Sequence, residues 1–213
     1  MADLSNTAFS VIDEIVAAAE GKKRFMVAIT GAPGSGKSTL SAEILRRMQQ
    51  KKLEAVVVPM DGFHLDNGIL DEMGMRARKG SPETFDAHGF IHAMKRIREG
   101  QEIFLPVFDR TRDLSIAGAL HVPAACPIVI VEGNYLMFDE DPWRQLADVW
   151  DMTIRWDVPL PELRARLIQR WLNHNLPRTV ALRRAEGNDI PNAQRIISKT
   201  LPCDIVLDGT PAR

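Results

Sequence analysis

Residues 31–38 read Gly-Ala-Pro-Gly-Ser-Gly-Lys-Ser and lie between the apolar run Phe25-Met-Val-Ala-Ile-Thr30 and the stretch Thr39-Leu-Ser-Ala-Glu-Ile-Leu-Arg-Arg47. An apolar run, a glycine-rich turn and an amphipathic stretch in this order predict a strand, a turn and a helix. The turn has the spacing G-x-x-x-x-G-K-[ST], which marks a phosphate-binding loop in that context. A glycine-rich structural turn is the alternative, but the four fixed positions match by chance in roughly one chain in a hundred of this length. We therefore interpret the stretch as a nucleoside triphosphate site.

The residue types of this turn suit an anionic ligand. Gly31, Gly34 and Gly36 allow backbone conformations that a side chain would block, so successive N–H groups can face one phosphate. The helix that begins near Lys37 adds unpaired N–H groups and the positive end of its dipole. Lys37 supplies a mobile charge for the outer phosphates, and the Ser38 hydroxyl can ligate Mg²⁺. The predicted nucleotide-binding residues are Gly31, Ala32, Pro33, Gly34, Ser35, Gly36, Lys37, Ser38 and Thr39.

The composition is that of an ordinary globular protein. The chain has 213 residues, of which 45% are hydrophobic and 26% charged, and its formal net charge is −1. This balance gives no electrostatic reason to expect a nucleic acid or a membrane as partner. The two cysteines show no metal-ligand spacing, and the N-terminal stretch lacks the charged and apolar regions of a signal peptide. The expected compartment is the cytoplasm.

Strands and helices alternate along the chain. Apolar runs predict strands at 25–30, 54–58, 103–108, 119–122, 127–131, 152–156 and 204–208. Amphipathic stretches predict helices at 7–20, 84–99, 160–174 and 191–200, with an Arg-rich polar loop of some helical content at 175–190. This alternation predicts one α/β domain over residues 1–213, with three layers (α/β/α) around a mainly parallel five-stranded sheet. The strands at 103–108 and 119–122 can form a small inserted hairpin.

An aspartate follows the second predicted strand, in the sequence Pro59-Met-Asp61-Gly62-Phe63-His64. Asp61 is therefore expected at the carboxyl edge of the sheet, where open α/β sheets bind ligands and where the phosphate loop also lies. A carboxylate beside a transferring phosphoryl group can accept the proton of the attacking hydroxyl or hold Mg²⁺ through water. The alternative is an aspartate that only stabilises a turn before glycine.

A glutamate ends the apolar strand Ile128-Val-Ile-Val-Glu132-Gly133-Asn134. An acidic residue at this place in a protein with a phosphate loop is where a second metal-orienting carboxylate is expected. The predicted metal site is therefore Ser38 with Glu132. The alternative is a strand-end charge that faces solvent.

Basic residues are concentrated in and after the predicted helix 160–174. They are Arg164, Arg166, Arg170, Arg178, Arg183 and Arg184. Arginines on a mobile segment can reach the charge that develops on a transferring phosphate while they exclude water. We therefore predict a lid at approximately 170–190, and the alternative is a solvated helix face. The four tryptophans, Trp143, Trp150, Trp156 and Trp171, are interpreted as core or lid-packing residues.

Taken together, these residues resemble the phosphoribulokinase, uridine kinase and pantothenate kinase family of P-loop kinases, over nearly the whole chain after residue 20. The narrowest matches are Asp61-Gly62-Phe63 and Ser81-Pro-Glu-Thr-Phe-Asp86, within the longer stretch that begins at Arg78. Further matches are Leu105-Pro-Val-Phe-Asp-Arg110, Val131-Glu-Gly-Asn134 and Asn188-Asp-Ile-Pro-Asn192. The sequence is most similar to a bacterial subgroup named fructose-transport-system kinases or nucleoside/nucleotide kinase family proteins.

The resemblance implies roles for individual residues. It implies a P-loop fold, ATP and Mg²⁺ as cofactors, and Asp61 as catalytic base with Lys37 and Arg170 beside the transferring group. It places Asp86 and Arg110 in the acceptor pocket. The full candidate acceptor set is Asp61, His64, Arg78, Asp86, Arg110 and Glu132, and the lid arginines are Arg166, Arg170 and Arg178.

The resemblance also limits the acceptor. Uridine kinases carry Asp-Ser-Phe-Tyr where this chain has Asp61-Gly62-Phe63-His64, and this chain lacks the long extra segments of pantothenate kinases. A fructose-like sugar is the first expectation, and a nucleoside or pantothenate-type acceptor is the alternative. Two other classes stay open, a nucleotide-driven regulatory ATPase and a non-catalytic nucleotide-binding module. We expect a monomer or a homodimer that binds a small-molecule acceptor, and no nucleic acid or membrane.

Overall fold

The structure, a computed structural model, describes residues 4–210. Residues 1–3 and 211–213 of the predicted domain 1–213 lie outside this range, as do the side chains at positions 4–7 and 9. Within residues 4–210, no helix combines the length and the apolar character that crossing a bilayer requires.

The central sheet has five parallel strands. In chain order the strands of the described residues are β1 (Phe25–Thr30), β2 (Ala55–Pro59), β3 (Ile103–Asp109), β4 (Leu114–Val122), β5 (Ile128–Gly133), β6 (Met152–Asp157) and β7 (Ile205–Asp208). The sheet has the strand order β2-β5-β1-β6-β7, and all neighbouring strands in it run parallel. β3 and β4 form a separate antiparallel hairpin. The predicted α/β fold with an inserted hairpin is confirmed.

Helices cover both faces of this sheet. They are α1 (Leu4–Ala19), α2 (Lys37–Gln50), α3 (Asn67–Glu72), α4 (Ala87–Arg98), α5 (Leu160–Asn173), α6 (Arg178–Arg184) and α7 (Ile190–Ser198). Alternate residues of β1 enter two separate cores. Met26 and Ala28 pack with α4, whereas Val27 and Ile29 pack with α1, α2 and α5. Since β1 is buried on both faces, its sequence is an unbroken apolar run.

Three segments differ from the sequence prediction. The helix α3 (Asn67–Glu72) lies between the predicted strand 54–58 and the predicted helix 84–99, where no helix is predicted. β4 begins at Leu114, five residues before the predicted start at 119, because the exposed part of the hairpin carries few large apolar side chains. Most of the predicted Arg-rich loop 175–190 is helical, since α6 continues through a π-helical turn (Ala185–Asp189) into α7. Ala181 and Ala185 are fully buried and anchor this helical run on the α5 side of the sheet.

Candidate active site

The phosphate loop connects the end of β1 to the start of α2. Gly34 and Gly36 adopt φ values of 78° and 97°, a left-handed conformation in which most side chains are strained. Gly31 is needed for a different reason, because a Cβ there would lie 2.7 Å from the carbonyl oxygen of Trp156. Within the loop, the Ser35 N–H donates to the Ala32 carbonyl at 3.1 Å. The loop thus curls around the N-terminus of α2, whose first N–H groups have no partner inside the helix.

The strand register brings the two predicted carboxylates to this loop. Glu132 of β5 stands level with Ile29 of β1 on one side and with Pro59 of β2 on the other. The Ser38 hydroxyl donates to Glu132 Oε1 at 3.0 Å. Asp61 lies in a short 3₁₀ helix directly after β2, at the same edge of the sheet. The predicted edge therefore holds the phosphate loop, Glu132 and Asp61 together.

Four charged side chains act electrostatically on Lys37. Burial among protein atoms lowers the pKa of Lys37, whereas the negative charges of Glu132 and Asp61 raise it. The positive charges of Arg110 and Arg170 lower it further. Residues from β5, the segment after β2, the hairpin and α5 therefore all act electrostatically on the one lysine of the loop.

Glu132 is a buried carboxylate. Glu132 is only 6% exposed, and the loss of hydration raises the pKa of its carboxyl group. The charge of Lys37 and the hydrogen bond from Ser38 both act in the opposite direction. A hydroxyl and a buried carboxylate in contact at a phosphate loop are the oxygen donors that Mg²⁺ takes, often through water. The two residues present therefore fit this cation.

Asp61 pairs with an arginine from the hairpin. Arg110 Nη2 lies 2.8 Å from Asp61 Oδ2, and the Arg110 side chain is 61% exposed against 27% for Asp61. The hairpin reaches Asp61 because its backbone packs directly on Gly62, where a Cβ would lie 2.1 Å from the Pro106 carbonyl oxygen. The glycine after the predicted base thus lets a second chain segment approach that base.

His64 lies between two aromatic rings beside this pair. Its ring is stacked on Phe85 at 4.0 Å between centroids, and Phe108 is 4.8 Å away at an angle of 52°. Burial lowers the pKa of His64 to about 4, so the imidazole is neutral near pH 7. Its Nδ1 atom is buried and has no hydrogen-bond partner among the described residues.

Two other predicted acceptor residues have local partners. Asp86 caps α4, since its Oδ1 accepts the Gly89 N–H at 2.8 Å, and its side chain faces solvent. Arg78 is exposed and lies 3.7 Å from Glu83. The structure thus places Asp86 at a helix terminus and Arg78 in a surface ion pair.

The three predicted lid arginines occupy different surroundings. Arg170 lies over the ring of Trp171, with its guanidinium carbon 5.4 Å from the ring centroid, and its charge acts on Lys37. Arg178 is exposed at the start of α6. Arg166 donates to the carbonyl of Ser35 at 2.8 Å, so it is attached to the outer side of the phosphate loop.

Some residues near the site carry no local sequence signal. Trp156 donates its indole N–H to the Ser35 carbonyl at 2.9 Å, across a separation of 121 residues. Lys79 donates to Asn67 Oδ1 at 2.7 Å and to Asp113 Oδ1 at 3.0 Å, which ties the segment after β2 to the hairpin turn. Only the tertiary pairing of distant segments reveals these contacts.

Comparisons with known proteins agree on one family. The model of the phosphoribulokinase / uridine kinase family matches residues 26–172. The uncharacterized protein YggC of Escherichia coli K12 is 37% identical over 192 residues, covering 89% of this chain and 79% of that protein. A Schizosaccharomyces pombe protein with the provisional name uridine kinase C227.14 is 32% identical over 197 residues, covering 87% of this chain and 83% of that protein.

A solved structure has nearly the same fold over its whole length. It is the crystal structure of a Silicibacter sp. TM1040 protein with the provisional name fructose transport system kinase, at 44% identity and a TM-score of 0.89. The match covers 96% of this chain and 98% of that chain.

Proposed function

The chain belongs to the phosphoribulokinase / uridine kinase family and is a phosphotransferase with an alcohol group as acceptor; from this premise we propose that it transfers the γ-phosphoryl group of ATP to a hydroxyl of a small sugar. The observation that carries the proposal is that the phosphate loop, Glu132 and Asp61 lie at one edge of the sheet, where the Ser38 hydroxyl donates to Glu132 Oε1 at 3.0 Å. Phosphoryl transfer needs positioned cations around the phosphates and a carboxylate beside the attacking hydroxyl, and this edge of the sheet supplies both.

The nucleotide side of the site is the loop with Lys37. The loop amides and the N-terminus of α2 bind the phosphate oxygens, and Lys37 neutralises charge on the outer phosphates. Arg170 adds a second positive charge near Lys37. Mg²⁺, when bound, would be held by Ser38 and Glu132 and would neutralise phosphate charge. The desolvation of Lys37 and Glu132 strengthens every charge interaction made there.

The acceptor side of the site is Asp61 with the hairpin. Asp61 orients the acceptor hydroxyl and takes its proton as the oxygen attacks the γ-phosphorus. Arg110, now 2.8 Å from Asp61, is placed to hold the base before the acceptor binds and to donate to an acceptor oxygen afterwards. The exposed guanidinium of Arg110 can make this exchange without disturbing the core.

A sugar suits the surroundings of Asp61 better than a nucleoside. Gly62 leaves no room for the serine that uridine kinases carry, since a Cβ would meet the Pro106 carbonyl. Between Phe85 and Phe108, the neutral imidazole of His64 forms part of the wall beside Asp61. Flat apolar walls with a few polar atoms are typical of small-metabolite pockets. The provisional name of the Silicibacter relative, at 44% identity, also supports a sugar.

A coupled assay of ADP release tests this proposal. The purified chain is supplied with MgATP and with one acceptor at a time: fructose and other sugars, pentose phosphates, nucleosides, pantothenate and glycerate. The variant Lys37→Ala, prepared identically, gives the background from contaminating enzymes. We expect sugar-dependent ADP release that the variant lacks. A nucleoside as the best acceptor would overturn the acceptor class, and ATP consumption independent of every acceptor would favour a regulatory ATPase instead.

A further inference from the structure

The carbonyl of Ser35 accepts two hydrogen bonds from outside the phosphate loop. The indole Nε1 of Trp156 donates at 2.9 Å, and Nη1 of Arg166 donates at 2.8 Å. Trp156 is 4% exposed, and the side chain of Arg166 is 28% exposed. Two donors from β6 and α5 thus hold one carbonyl on the outer side of the loop.

The orientation of this carbonyl fixes the next N–H group. The peptide bond is planar and trans, so its C=O and N–H point in opposite directions. Since the Ser35 carbonyl is held outward, the Gly36 N–H must point to the other side, into the turn. Gly36 adopts a φ of 97° and has no side chain. Without the hydrogen bonds from Trp156 and Arg166, nothing at Gly36 would resist rotation of this peptide. The outer hydrogen bonds therefore determine where an inner donor points.

Both donors are themselves held in place. Trp156 follows the last residue of β6 that pairs with β1, and its carbonyl packs on Gly31 at the start of the loop. Arg166 donates to Glu162 Oε1 at 2.8 Å, one helical turn earlier in α5. Arg166 also donates to the Gly209 carbonyl at 3.2 Å, and a Cβ at Gly209 would lie 2.6 Å from Trp156 Nε1. The turn after β7 therefore closes over both side chains.

We infer that Trp156 and Arg166 are positioning residues for the nucleotide, which hold the Ser35–Gly36 peptide so that the Gly36 N–H faces the bound phosphates. The inference deepens the nucleotide half of the proposed function and is independent of the acceptor. It replaces the predicted role of Arg166 in the lid with a role behind the phosphate loop.

The test compares ATP affinity in matched variants by isothermal titration calorimetry with MgATP. Trp156→Phe keeps the ring and removes the indole donor, Arg166→Gln removes the guanidinium, and Arg166→Lys restores one charged donor. The control Trp150→Phe removes the same type of bond from a buried tryptophan that donates to Leu136 at 3.0 Å. The control Arg24→Gln removes an arginine that donates to the Pro123 carbonyl at 2.9 Å, away from the loop.

Urea unfolding of each variant separates a change in affinity from a change in stability. We expect Trp156→Phe and Arg166→Gln each to weaken ATP binding about tenfold, the effect of losing one good hydrogen bond. Arg166→Lys should recover part of the loss, and the controls should bind ATP within about twofold of the wild type at a comparable loss of stability. If Trp156→Phe does not fold, the inference is tested by comparing the ATP affinities of Arg166→Gln and Arg166→Lys with that of the control Arg24→Gln.

Three results would overturn the inference. ATP affinity within twofold of the wild type in both loop-side variants would show that the outer bonds do not orient the loop. An equal loss of affinity in the controls would assign the effect to general destabilisation. Failure of the wild-type chain to bind ATP would overturn the proposed function as well, and this outcome is recognised from the wild type alone.

Discussion

The substitution Gly62→Ala tests whether the hairpin must pack against the segment that carries Asp61. A Cβ at position 62 would lie 2.1 Å from the Pro106 carbonyl oxygen and 2.7 Å from its carbonyl carbon. Real Cβ contacts begin near 3.0 Å, so the backbones of the two segments must separate by about 1 Å. The neighbour is backbone rather than a flexible side chain, so we expect a loss of about 1–3 kcal/mol in the free energy of unfolding. The same shift should move Arg110 away from Asp61, and a displacement of about 1 Å at a reacting group costs about 100-fold in kcat/KM.

Thermal unfolding and ADP release measure both effects. For a chain of this size, each kcal/mol lowers Tm by about 2–4 °C. The matched control is Gly187→Ala, where a Cβ meets nothing within 4 Å and φ is not positive. The control should show no fall in Tm and gain up to about 1 kcal/mol of stability. A Gly62→Ala variant with wild-type Tm and wild-type turnover would show that the hairpin does not need to pack closely on position 62.

Three further changes probe the charges of the site. Lys37→Ala should weaken MgATP binding at least tenfold and lower turnover by about 100-fold or more, measured by calorimetry and ADP release; unchanged ATP affinity would contradict the role of the loop. Arg110→Gln removes the cation 2.8 Å from Asp61, so we expect KM for the acceptor to rise about tenfold with the Kd for ATP unchanged; a change confined to ATP would contradict its place in the pocket. His64→Gln should reduce the loss of stability that the protein shows in acid. Burial lowers the pKa of His64 from 6.5 to about 4, so the unfolded chain binds more protons than the folded chain between these two pH values. The wild type therefore loses stability as pH falls from 6.5 to about 4. Urea unfolding at pH 7 and pH 4.5 should show a smaller drop for His64→Gln, by up to about 3 kcal/mol, than for the exposed control His88→Gln; parallel drops would contradict the assignment.

The parts of the fold that the sequence predicts best are those in which both faces of an element are buried. β1 and β5 are apolar at almost every position, and their bounds differ from the prediction by no more than two residues. The exposed strand β4 gives a weak signal because its outer residues face solvent. The run Ala185–Asp189 falls within the stretch predicted as an Arg-rich polar loop with some helical content, yet burial of Ala185 keeps the chain helical there.

The parts of the candidate site that the sequence predicts best are those whose residues lie close together in the sequence. The phosphate loop is contained in one stretch of chain, and Asp61 and Glu132 each follow a strand whose end can be recognised in the sequence. Parallel strands place such positions at one edge. The pairing of Asp61 with Arg110 depends on how far the hairpin bends toward Gly62, which is a matter of packing between backbones.

The contacts behind the loop could not be predicted from sequence. Trp156 and Ser35 are 121 residues apart, and Arg166 and Ser35 are 131 residues apart. A tryptophan in an apolar strand predicts a core residue, and Arg166 is predicted as a lid arginine with a solvated helix face as the alternative. Only the position of β6 beside β1 brings the indole N–H to the loop.

In the proposed reaction, Asp61 takes the proton of the acceptor hydroxyl while the loop around Lys37 holds the triphosphate. The most direct measurement is the rate of ADP release by Asp61→Asn at saturating acceptor, together with its Kd for MgATP. Asp66→Asn is the matched control, since Asp66 caps α3 through the Gly68 N–H at 2.8 Å and asparagine can do the same. We expect a fall in turnover of about 100-fold or more for Asp61→Asn with ATP affinity and fold intact, and no such fall for the control. Turnover near that of the wild type in a folded Asp61→Asn variant would contradict this role of Asp61.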